Sequence, residues 1–314
     1  MTALLVATNG GHLAQLVELA PRMDGIEADR LWVTFDSPQS RSLLAGRRHL
    51  FIPEIDERDV RGVLRGMGIA KRLMRGTPVS AVVSTGSAIA LSFLPLAALR
   101  GIPAHYIESS ARVAEPSLTG RLLQLAPGVR LYRQYPHAAR GRWGYAGSVF
   151  DGFEARPAAS REVRRVVVTV GSGVHGFRRL LDRLVAILPP GLDILWQTGS
   201  TAVDGLGIPA RQAVLAAELE RAIRDADVVV AHAGCGSALT ALGAGKLPVL
   251  VAREGRHGEL VDEHQTQLAG WLGSRGLAVH RTPENLGFAD LLAAAAHSVA
   301  RRADPPAILL ARSP

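Results

Sequence analysis

Residues 226–265 read ADVVVAHAGCGSALTALGAGKLPVLVAREGRHGELVDEHQ, and this stretch decides the fold. Its apolar run 228–231 is typical of a strand that is buried on both faces. The run stops at HAGCGS, residues 232–237, where small residues let the backbone turn sharply and approach a ligand closely. Ser237 can cap a helix over 238–244, and the amides at a helix N-terminus bind phosphate. We therefore predict a phosphate-binding turn between a buried strand and a helix.

A second apolar strand, residues 247–252, follows that helix and leads into the polar loop GELVDEHQ, residues 258–265. The loop leaves the carboxyl end of a strand, which is where open α/β sheets bind their ligands. A phosphate-binding turn beside a loop rich in side chains that can bind sugar hydroxyls indicates a nucleotide-sugar pocket.

The rest of the chain alternates apolar, strand-like segments with helical ones, which predicts parallel, doubly wound sheets. The predicted strands are residues 3–7, 31–35, 50–52, 81–83, 104–107, 165–170, 194–197, 228–231 and 249–252. The predicted helices are residues 13–20, the basic amphipathic segment 58–75, an apolar helix ending at Leu99, residues 238–244 and an Ala-rich helix over 288–302.

A linker rich in Gly, Pro, Ala and Ser, residues 147–160, separates the two halves. We therefore predict two Rossmann-like domains facing a cleft, residues 1–155 and 156–314. The C-terminal helix is expected to cross back over the first domain.

Composition narrows the class of protein. The 314 residues are 47% hydrophobic and 20% charged, as in an ordinary folded protein, and Cys235 is the only cysteine. This favours a reducing cytoplasm. The chain opens on a strand-like segment, so we expect no signal peptide, and its most apolar window, 88–99, is too short to span a bilayer.

Positive charge is concentrated in the first half. Residues 1–150 carry 18 Lys and Arg against 11 Asp and Glu, whereas the remainder carries 18 against 17. Such asymmetry points to an anionic partner on that side, namely nucleic acid, acidic lipid or a diphosphate. The alternative is a proteome that uses Arg as a surface filler, which fits a chain with only two lysines.

Two motifs suggest other chemistries. GSGVHG, residues 171–176, matches the dinucleotide fingerprint GxGxxG, but the next strand ends in WQTGS without the acidic residue that binds the ribose. DAD, residues 225–227, imitates a metal-binding DxD motif but precedes its strand. Because no other cluster has metal-ligand spacing, we expect no metal. We also expect no cofactor.

His12 follows two glycines at the carboxyl end of the first strand. An imidazole there can accept a proton near neutral pH, which suits a general base. A structural role at the helix N-terminus is the alternative.

The motifs together resemble a known glycosyltransferase group. The first half resembles the membrane-recruiting subunit, and the second half the catalytic subunit, of the transferase that adds the second N-acetylglucosamine to dolichyl-diphosphate sugars. The same pair occurs in bacterial exopolysaccharide synthesis, including glucuronosyltransferases, and a single-chain relative is the peptidoglycan lipid-intermediate N-acetylglucosaminyltransferase of family 28. The matching segments are NGGHLAQLVEL (9–19), STGSAIA (84–90), YIESSARVAEPSLTGRL (106–122), AGSVFD (146–151), VVVTVGS (166–172), WQTG (196–199), 226–253 and GELVDEHQ.

The resemblance implies a GT-B fold and inverting, metal-independent transfer from a UDP-sugar to a polyprenyl-diphosphate-linked saccharide. Its catalytic candidates are His12 as base and Glu108 as alternative base or acceptor contact. The expected acceptor-binding residues are Gly10, Gly11, Thr85, Gly86, Ser87 and Arg112. The expected donor-binding residues are Ser172, Gln197, His232, Gly234, Gly236, Ser237, Thr240, Glu259, Asp262, His264 and Gln265.

Two departures from the pattern matter. The recruiting subunit usually carries an N-terminal membrane anchor, whereas this sequence opens on a predicted strand. The catalytic subunit usually has Glu where this chain has Thr240, which leaves the donor sugar open. We expect a protein peripheral to the cytoplasmic face of an anionic membrane, without a nucleic-acid partner. A UDP-sugar 2-epimerase and a non-catalytic nucleotide-sugar-binding scaffold are the alternatives.

Overall fold

The computed structural model describes residues 1–26, 28–56, 58–159, 162–171, 173, 175–260 and 263–310. The chain divides into two compact units. Unit 1 is Met1–Asp151 together with the C-terminal segment that starts at Pro305, and unit 2 is Gly152–Asp304. The division falls at residue 151, where the sequence suggested 155.

Unit 1 is built on a parallel sheet with the strand order β4-β3-β1-β5-β6-β7-β8. Its strands are β1 (Thr2–Ala7), β3 (Arg30–Phe35), β4 (His49–Ile52), β5 (Val79–Gly86), β6 (Ala104–Ile107), β7 (Val129–Arg133) and β8 (Trp143–Tyr145), and β2 (Met23–Asp24) lies outside this sheet. Its helices are α1 (Gly11–Leu19), α2 (Pro38–Leu43), α3 (Val60–Gly76), α4 (Ala88–Leu99) and α5 (Leu118–Leu123).

The order explains where each helix lies. The chain moves outward from β1 to β4 through α1 and α2, and then returns past β1 to β5 and β8 through α3, α4 and α5. Right-handed crossovers therefore place α1 and α2 on one face of the sheet and α3–α5 on the other. A hydrophobic core lies between the sheet and α4, and it includes aliphatic residues of β1 and apolar residues of α4.

Unit 2 repeats the design with the parallel order β12-β11-β10-β13-β14-β15. Its strands are β10 (Arg165–Thr169), β11 (Asp193–Gln197), β12 (Ala210–Arg211), β13 (Val228–His232), β14 (Val249–Val251) and β15 (Val279–Arg281). Its helices are α6 (Arg178–Ile187), α7 (Ala216–Asp225), α8 (Cys235–Gly243), α9 (His264–Ser274) and α10 (Phe288–Ala295). The prediction of two parallel α/β sheets is confirmed.

Three segments differ from the sequence-based expectation. The C-terminal helix α10 ends at Ala295 instead of 302 and packs within unit 2, because residues 297–301 instead form strand β16 (His297–Arg301). This strand pairs antiparallel with β9 (Phe153–Pro157), which lies inside the predicted linker. The segment that does return to unit 1 is strand β17 (Ile308–Leu309), paired with β2. The guanidinium of Arg22 helps to hold it, since Nε donates to the carbonyl of Pro306.

Helix α8 also begins earlier than predicted. Its N-cap is Gly234, with extended backbone and no side-chain cap, and Ser237 is the third helical residue. The first turn therefore presents the amides of residues 235–237, which have no acceptor within the helix. Ser237 is not the cap.

Within the described ranges, no helix is both long enough and apolar enough to cross a membrane.

Candidate active-site residues of the two units

The carboxyl ends of β1 and β5 bring His12 together with the predicted acceptor residues at 10–11 and 85–87. The ring Nδ1 of His12 lies 2.6 Å from the backbone carbonyl oxygen of Thr85. In return, the hydroxyl of Thr85 donates to the carbonyl of His12 at 2.8 Å. Residues 73 positions apart in the chain are therefore joined by two hydrogen bonds.

These contacts decide the tautomer of His12. A carbonyl oxygen can only accept, so Nδ1 must carry the proton, and the neutral ring has its lone pair on Nε2. Gly86, with φ of 105°, passes so close that a Cβ there would lie 3.0 Å from Cε1 of the ring. The ring is thereby oriented with Nε2 as its proton-accepting nitrogen, as a general base requires.

The glycine turn before His12 needs a backbone that only glycine adopts easily. Gly10 has φ of 77° and is the N-cap of α1, which begins at Gly11. The amide of Gly10 donates to the side chain of Gln39 at 2.9 Å. Ser87 is likewise the N-cap of α4, without a side-chain cap bond. Gln39 was missed from the sequence because its contact joins segments far apart in the chain.

Glu108, the alternative base, is 1% exposed and engaged on both oxygens. Oε1 accepts from the hydroxyl of Tyr106 and the amide of Ser109, both at 3.0 Å. Oε2 accepts from the amide and the hydroxyl of Ser117, at 2.9 and 3.0 Å. Burial and the nearby carboxylate raise the pKa of Tyr106 well above its usual value. Glu108 therefore fixes the loop between β6 and α5.

Arg112 lies in that loop and is half-exposed. Its main chain is hydrogen-bonded by the buried side chain of Arg133. Nη2 of Arg133 donates to the carbonyls of Arg112 at 2.8 Å and Ala114 at 3.1 Å. The guanidinium lies 5.5 Å from the ring centre of Trp143, and burial lowers its pKa. This buried cation fixes the main chain that carries Arg112.

A buried amide network also links the segments around the unit 1 candidates. Oε1 of Gln15 accepts from the amide of Ser110 at 2.8 Å and from Nε2 of Gln134 at 3.0 Å. Gln134 also donates to the carbonyl of Glu108 at 3.0 Å. Neither glutamine was predicted. For Gln15 the available signal was a polar residue on the buried face of α1.

In unit 2 the carboxyl ends of β10, β11 and β13 lie side by side. The predicted Gln197 is buried and accepts from the hydroxyl of Thr169 at 2.6 Å. His232 lies between two glycines, since a Cβ at Gly171 would be 2.6 Å from its Cε1 and one at Gly234 2.3 Å from its Nε2. Desolvation, and secondarily the charge of Arg253, lower the pKa of His232 to about 3. His232 is thus a neutral ring around which the turns pack.

Helix α8 carries three further donor-site candidates, Gly236 and Ser237 in its first turn and Thr240 in its second. The hydroxyl of Ser237 lies 3.5 Å from Nδ1 of His232. The hydroxyl of Thr240 donates to the carbonyl of Gly236 at 2.9 Å and is therefore satisfied within the helix. Helix amides that follow a glycine turn at the carboxyl end of a strand form an anion site.

Glu259 belongs to a charged group rather than standing alone. Its two oxygens accept from Nε and Nη2 of Arg179, each at 2.9 Å. Arg179 also contacts Glu254 at 3.2 Å and Glu284. The hydrogen bonds, with Glu259 first among them, raise the pKa of Arg179. Glu259 is thus already paired by a cation that sequence reasoning missed.

The remaining donor candidates lie at the start of α9. His264 is the first residue of α9, and its proximity contributes a small lowering of the pKa of His232. Gln265 is buried and accepts from the amide of Arg253 at 3.1 Å. Ser172 and Asp262 lie outside the described residues.

The DAD motif has a structural use. Oδ2 of Asp227 accepts from the amides of Arg164 and Arg165, both at 2.8 Å, at the start of β10. Among the residues that the structure describes, no group of three or more His, Cys, Asp or Glu is placed to hold a metal ion.

Comparison with protein families finds a match in unit 2. Residues 165–293, which form most of unit 2 and include β13 and α8, match the glycosyltransferase family 28 C-terminal domain.

Curated relatives extend the similarity over more of the chain. The UDP-N-acetylglucosamine–N-acetylmuramyl-(pentapeptide) pyrophosphoryl-undecaprenol N-acetylglucosamine transferase of Nitratidesulfovibrio vulgaris is 29% identical over 262 residues, covering 74% of this chain and 69% of its own. The protein of the same name from Alcanivorax borkumensis is 27% identical and covers 92% of this chain and 87% of its own.

Solved structures agree on the fold. MurG of Acinetobacter baumannii superposes with a TM-score of 0.58 at 20% identity, covering 93% of this chain and 89% of its own. The glycosyltransferase SnogD of Streptomyces nogalater gives 0.56 at 18% identity, with 93% and 90% covered. These GT-B structures and the two parallel sheets confirm the predicted fold class.

Proposed function

Because this chain is a family 28-like glycosyltransferase with a GT-B fold, we propose that it transfers a sugar from a UDP-sugar to a polyprenyl-diphosphate-linked saccharide. The observation that carries the proposal is the N-terminus of α8, which follows β13 within the matched domain. Relatives named for a UDP-sugar donor and a pyrophosphoryl-undecaprenol acceptor support both substrate classes. The product would serve cell-surface polysaccharide or glycolipid synthesis.

Unit 2 binds the donor in this proposal. The diphosphate binds at the first turn of α8, where the backbone amides point away from the helix and the positive end of the helix dipole lies. As the sugar–phosphate bond breaks, negative charge grows on the UDP, and these fixed dipoles stabilise it. We propose that they suffice without a metal ion.

Unit 1 binds the acceptor. The glycine turns at 10–11 and 85–87 receive its diphosphate, and Nε2 of His12 removes the proton from the attacking hydroxyl. Attack by that hydroxyl on the anomeric carbon expels UDP in one displacement, so the configuration at that carbon is inverted. The proton lost by the hydroxyl ends on the imidazole.

The test follows UDP release from purified protein supplied with UDP-N-acetylglucosamine, UDP-glucose or UDP-glucuronate, each with and without a polyprenyl-diphosphate saccharide. We expect release that requires the lipid acceptor and is equal in EDTA and in Mg²⁺. Interconversion of free UDP-sugars would identify an epimerase instead. Binding of UDP without turnover on any acceptor tried would identify a scaffold.

Membrane attachment is the second part of the proposal, and helix α3 supports it. The helix buries Gly62, Gly66, Ala70 and Met74. Its opposite face exposes two apolar residues, Val60 at 70% and Leu64 at 61%. The same face exposes Arg61, Arg65, Lys71, Arg72 and Arg75. A basic face with exposed apolar residues is typical of helices that lie on anionic membranes.

We expect the protein to bind anionic phosphatidylglycerol vesicles and to dissociate as salt is raised. Each basic residue near such a surface contributes about 1 kcal/mol, so the double variant Arg61→Gln, Arg65→Gln should bind roughly thirtyfold more weakly. Sedimentation with vesicles measures this.

The matched control is Arg221→Gln, Arg224→Gln, which removes two exposed charges from α7 in unit 2. Equal binding to neutral and anionic vesicles, or an equal loss in both double variants, would contradict an α3-specific electrostatic contact.

A further inference from the structure

Arg253, immediately after β14, contacts both ends of one glycine-rich segment. The side chain is only 4% exposed. Its Nη2 donates to the carbonyl of Val170 at 2.7 Å, and its Nε donates to the carbonyl of Gly176 at 3.2 Å. Val170 precedes the segment 171–176, and Gly176 ends it. One guanidinium therefore fixes the distance between the two ends.

The guanidinium is itself held in place. Its carbon lies 5.3 Å from the ring centre of Phe177, the residue that follows the segment. On the main chain, the amide of Arg253 donates to the side chain of buried Gln265 at 3.1 Å. Arg253 thus joins three segments of unit 2, namely those after β10, after β14 and at the start of α9.

The segment needs such a link. It contains Gly171, Gly173 and Gly176, and glycine loses more backbone freedom on ordering than any other residue. Gly171, with φ of 77°, packs on the ring of His232. Gly171 therefore lies against His232, the residue that leads into the phosphate-binding turn.

Lysine could not replace this arginine. A guanidinium presents donors in a rigid fork and reaches both carbonyls at once, whereas an ammonium is a single point on a flexible stem. Burial, opposed by the charge of Glu259, lowers the pKa of Arg253 to about 10, so the side chain is cationic at neutral pH.

We infer that Arg253 is a positioning residue, whose fork holds the backbone at Val170 and at Gly176 in the positions that let the glycine-rich turn after β10 receive the donor's diphosphate. The inference rests on the proposed function for the identity of the ligand. It assigns to Arg253 no contact with the reacting atoms. A binding segment that is already ordered in the free protein raises affinity, because binding the ligand then costs less conformational entropy.

The first experiment measures hydrogen–deuterium exchange in the ligand-free protein. Arg253→Lys and Arg253→Gln should both raise exchange in the peptide that covers residues 171–176. The matched control is Arg183→Gln, because Arg183 is another arginine of unit 2, half-buried, whose Nε donates to a carbonyl, that of Leu286 at 2.7 Å. We expect no change in that peptide for the control.

The second experiment measures the UDP dissociation constant by calorimetry and the donor kinetics at saturating acceptor. Loss of the fork should weaken UDP at least about tenfold in both Arg253 variants, since hydrogen bonds to charged groups are among the stronger ones. We expect a matching rise in donor KM with kcat within about twofold, because ordering contributes equally to ground and transition states.

The outcomes separate the hypotheses. Unchanged exchange in Arg253→Lys, or raised exchange with wild-type UDP affinity, would overturn the positioning role. Wild-type affinity in Arg253→Lys with loss only in Arg253→Gln would show that the charge acts and the fork does not, which also overturns it. Failure of the proposed function would instead show in the wild-type protein, which would then bind no UDP or bind it without turnover on any acceptor.

Discussion

Replacement of His12 by alanine should lower turnover at least about a hundredfold and leave the binding of UDP intact. Removal of a general base typically costs about 10² to 10⁴ in rate. His12 lies in unit 1, and the proposed UDP contacts lie in unit 2, so the increase in melting temperature caused by UDP should match that of wild type. Steady-state kinetics and a thermal-shift titration measure the two effects.

A second variant separates proton transfer from the structural contact. Asparagine at position 12 keeps an N–H donor for the carbonyl of Thr85 but offers no nitrogen that accepts a proton. His12→Asn should therefore be as inactive as His12→Ala. The low-pH limb of the rate profile, where a base is lost by protonation, should vanish in both variants.

The matched control is His49→Ala, because His49 is an exposed histidine of unit 1 whose Nδ1 also contacts a carbonyl, that of Arg47 at 2.8 Å. It should keep wild-type turnover. If His12→Ala stayed near wild type while Glu108→Gln did not, the role of base would pass to Glu108 despite its four hydrogen bonds.

The sequence predicted local features of the two sites well. A buried strand ending in HAGCGS could only turn and continue into a helix, and the structure has β13 followed by α8. Likewise, glycines after β1 placed His12 at the carboxyl end of a parallel sheet, where topology alone brings it near β5. These features depend on short-range patterns, which a sequence displays directly.

Long-range contacts were beyond that reasoning. Arg253 and Gln39 matter because their partners lie 77 and 29 residues away, and no spacing rule reveals such pairs. The N-cap of α8 was placed at Ser237 because serine is a good N-cap, yet Gly234, two residues after the end of β13, is the N-cap and the helix starts three residues earlier. Residues 297–301 read as helix until their partner strand β9 is known.

The second large effect concerns the phosphate-binding turn at the N-terminus of α8. Gly236→Val should abolish the increase in melting temperature that UDP causes. Gly236 is the second residue of α8 and has helical backbone without positive φ, so its backbone conformation is one that a residue with a side chain adopts. Valine would cover the amides of the first turn, which the diphosphate must approach closely.

The magnitude follows from linkage. A ligand at a hundred times its dissociation constant stabilises a protein by about 2.7 kcal/mol, and loss of that shift means affinity weakened at least roughly a hundredfold. The control is Gly243→Val at the exposed C-terminal end of the same helix, where a Cβ would approach nothing nearer than Nη2 of Arg301 at 3.6 Å. It has the same helix-propensity change and should keep the UDP response. A folded Gly236→Val protein with the wild-type response would remove the N-terminus of α8 from the donor site, and the diphosphate would have to be sought elsewhere in unit 2.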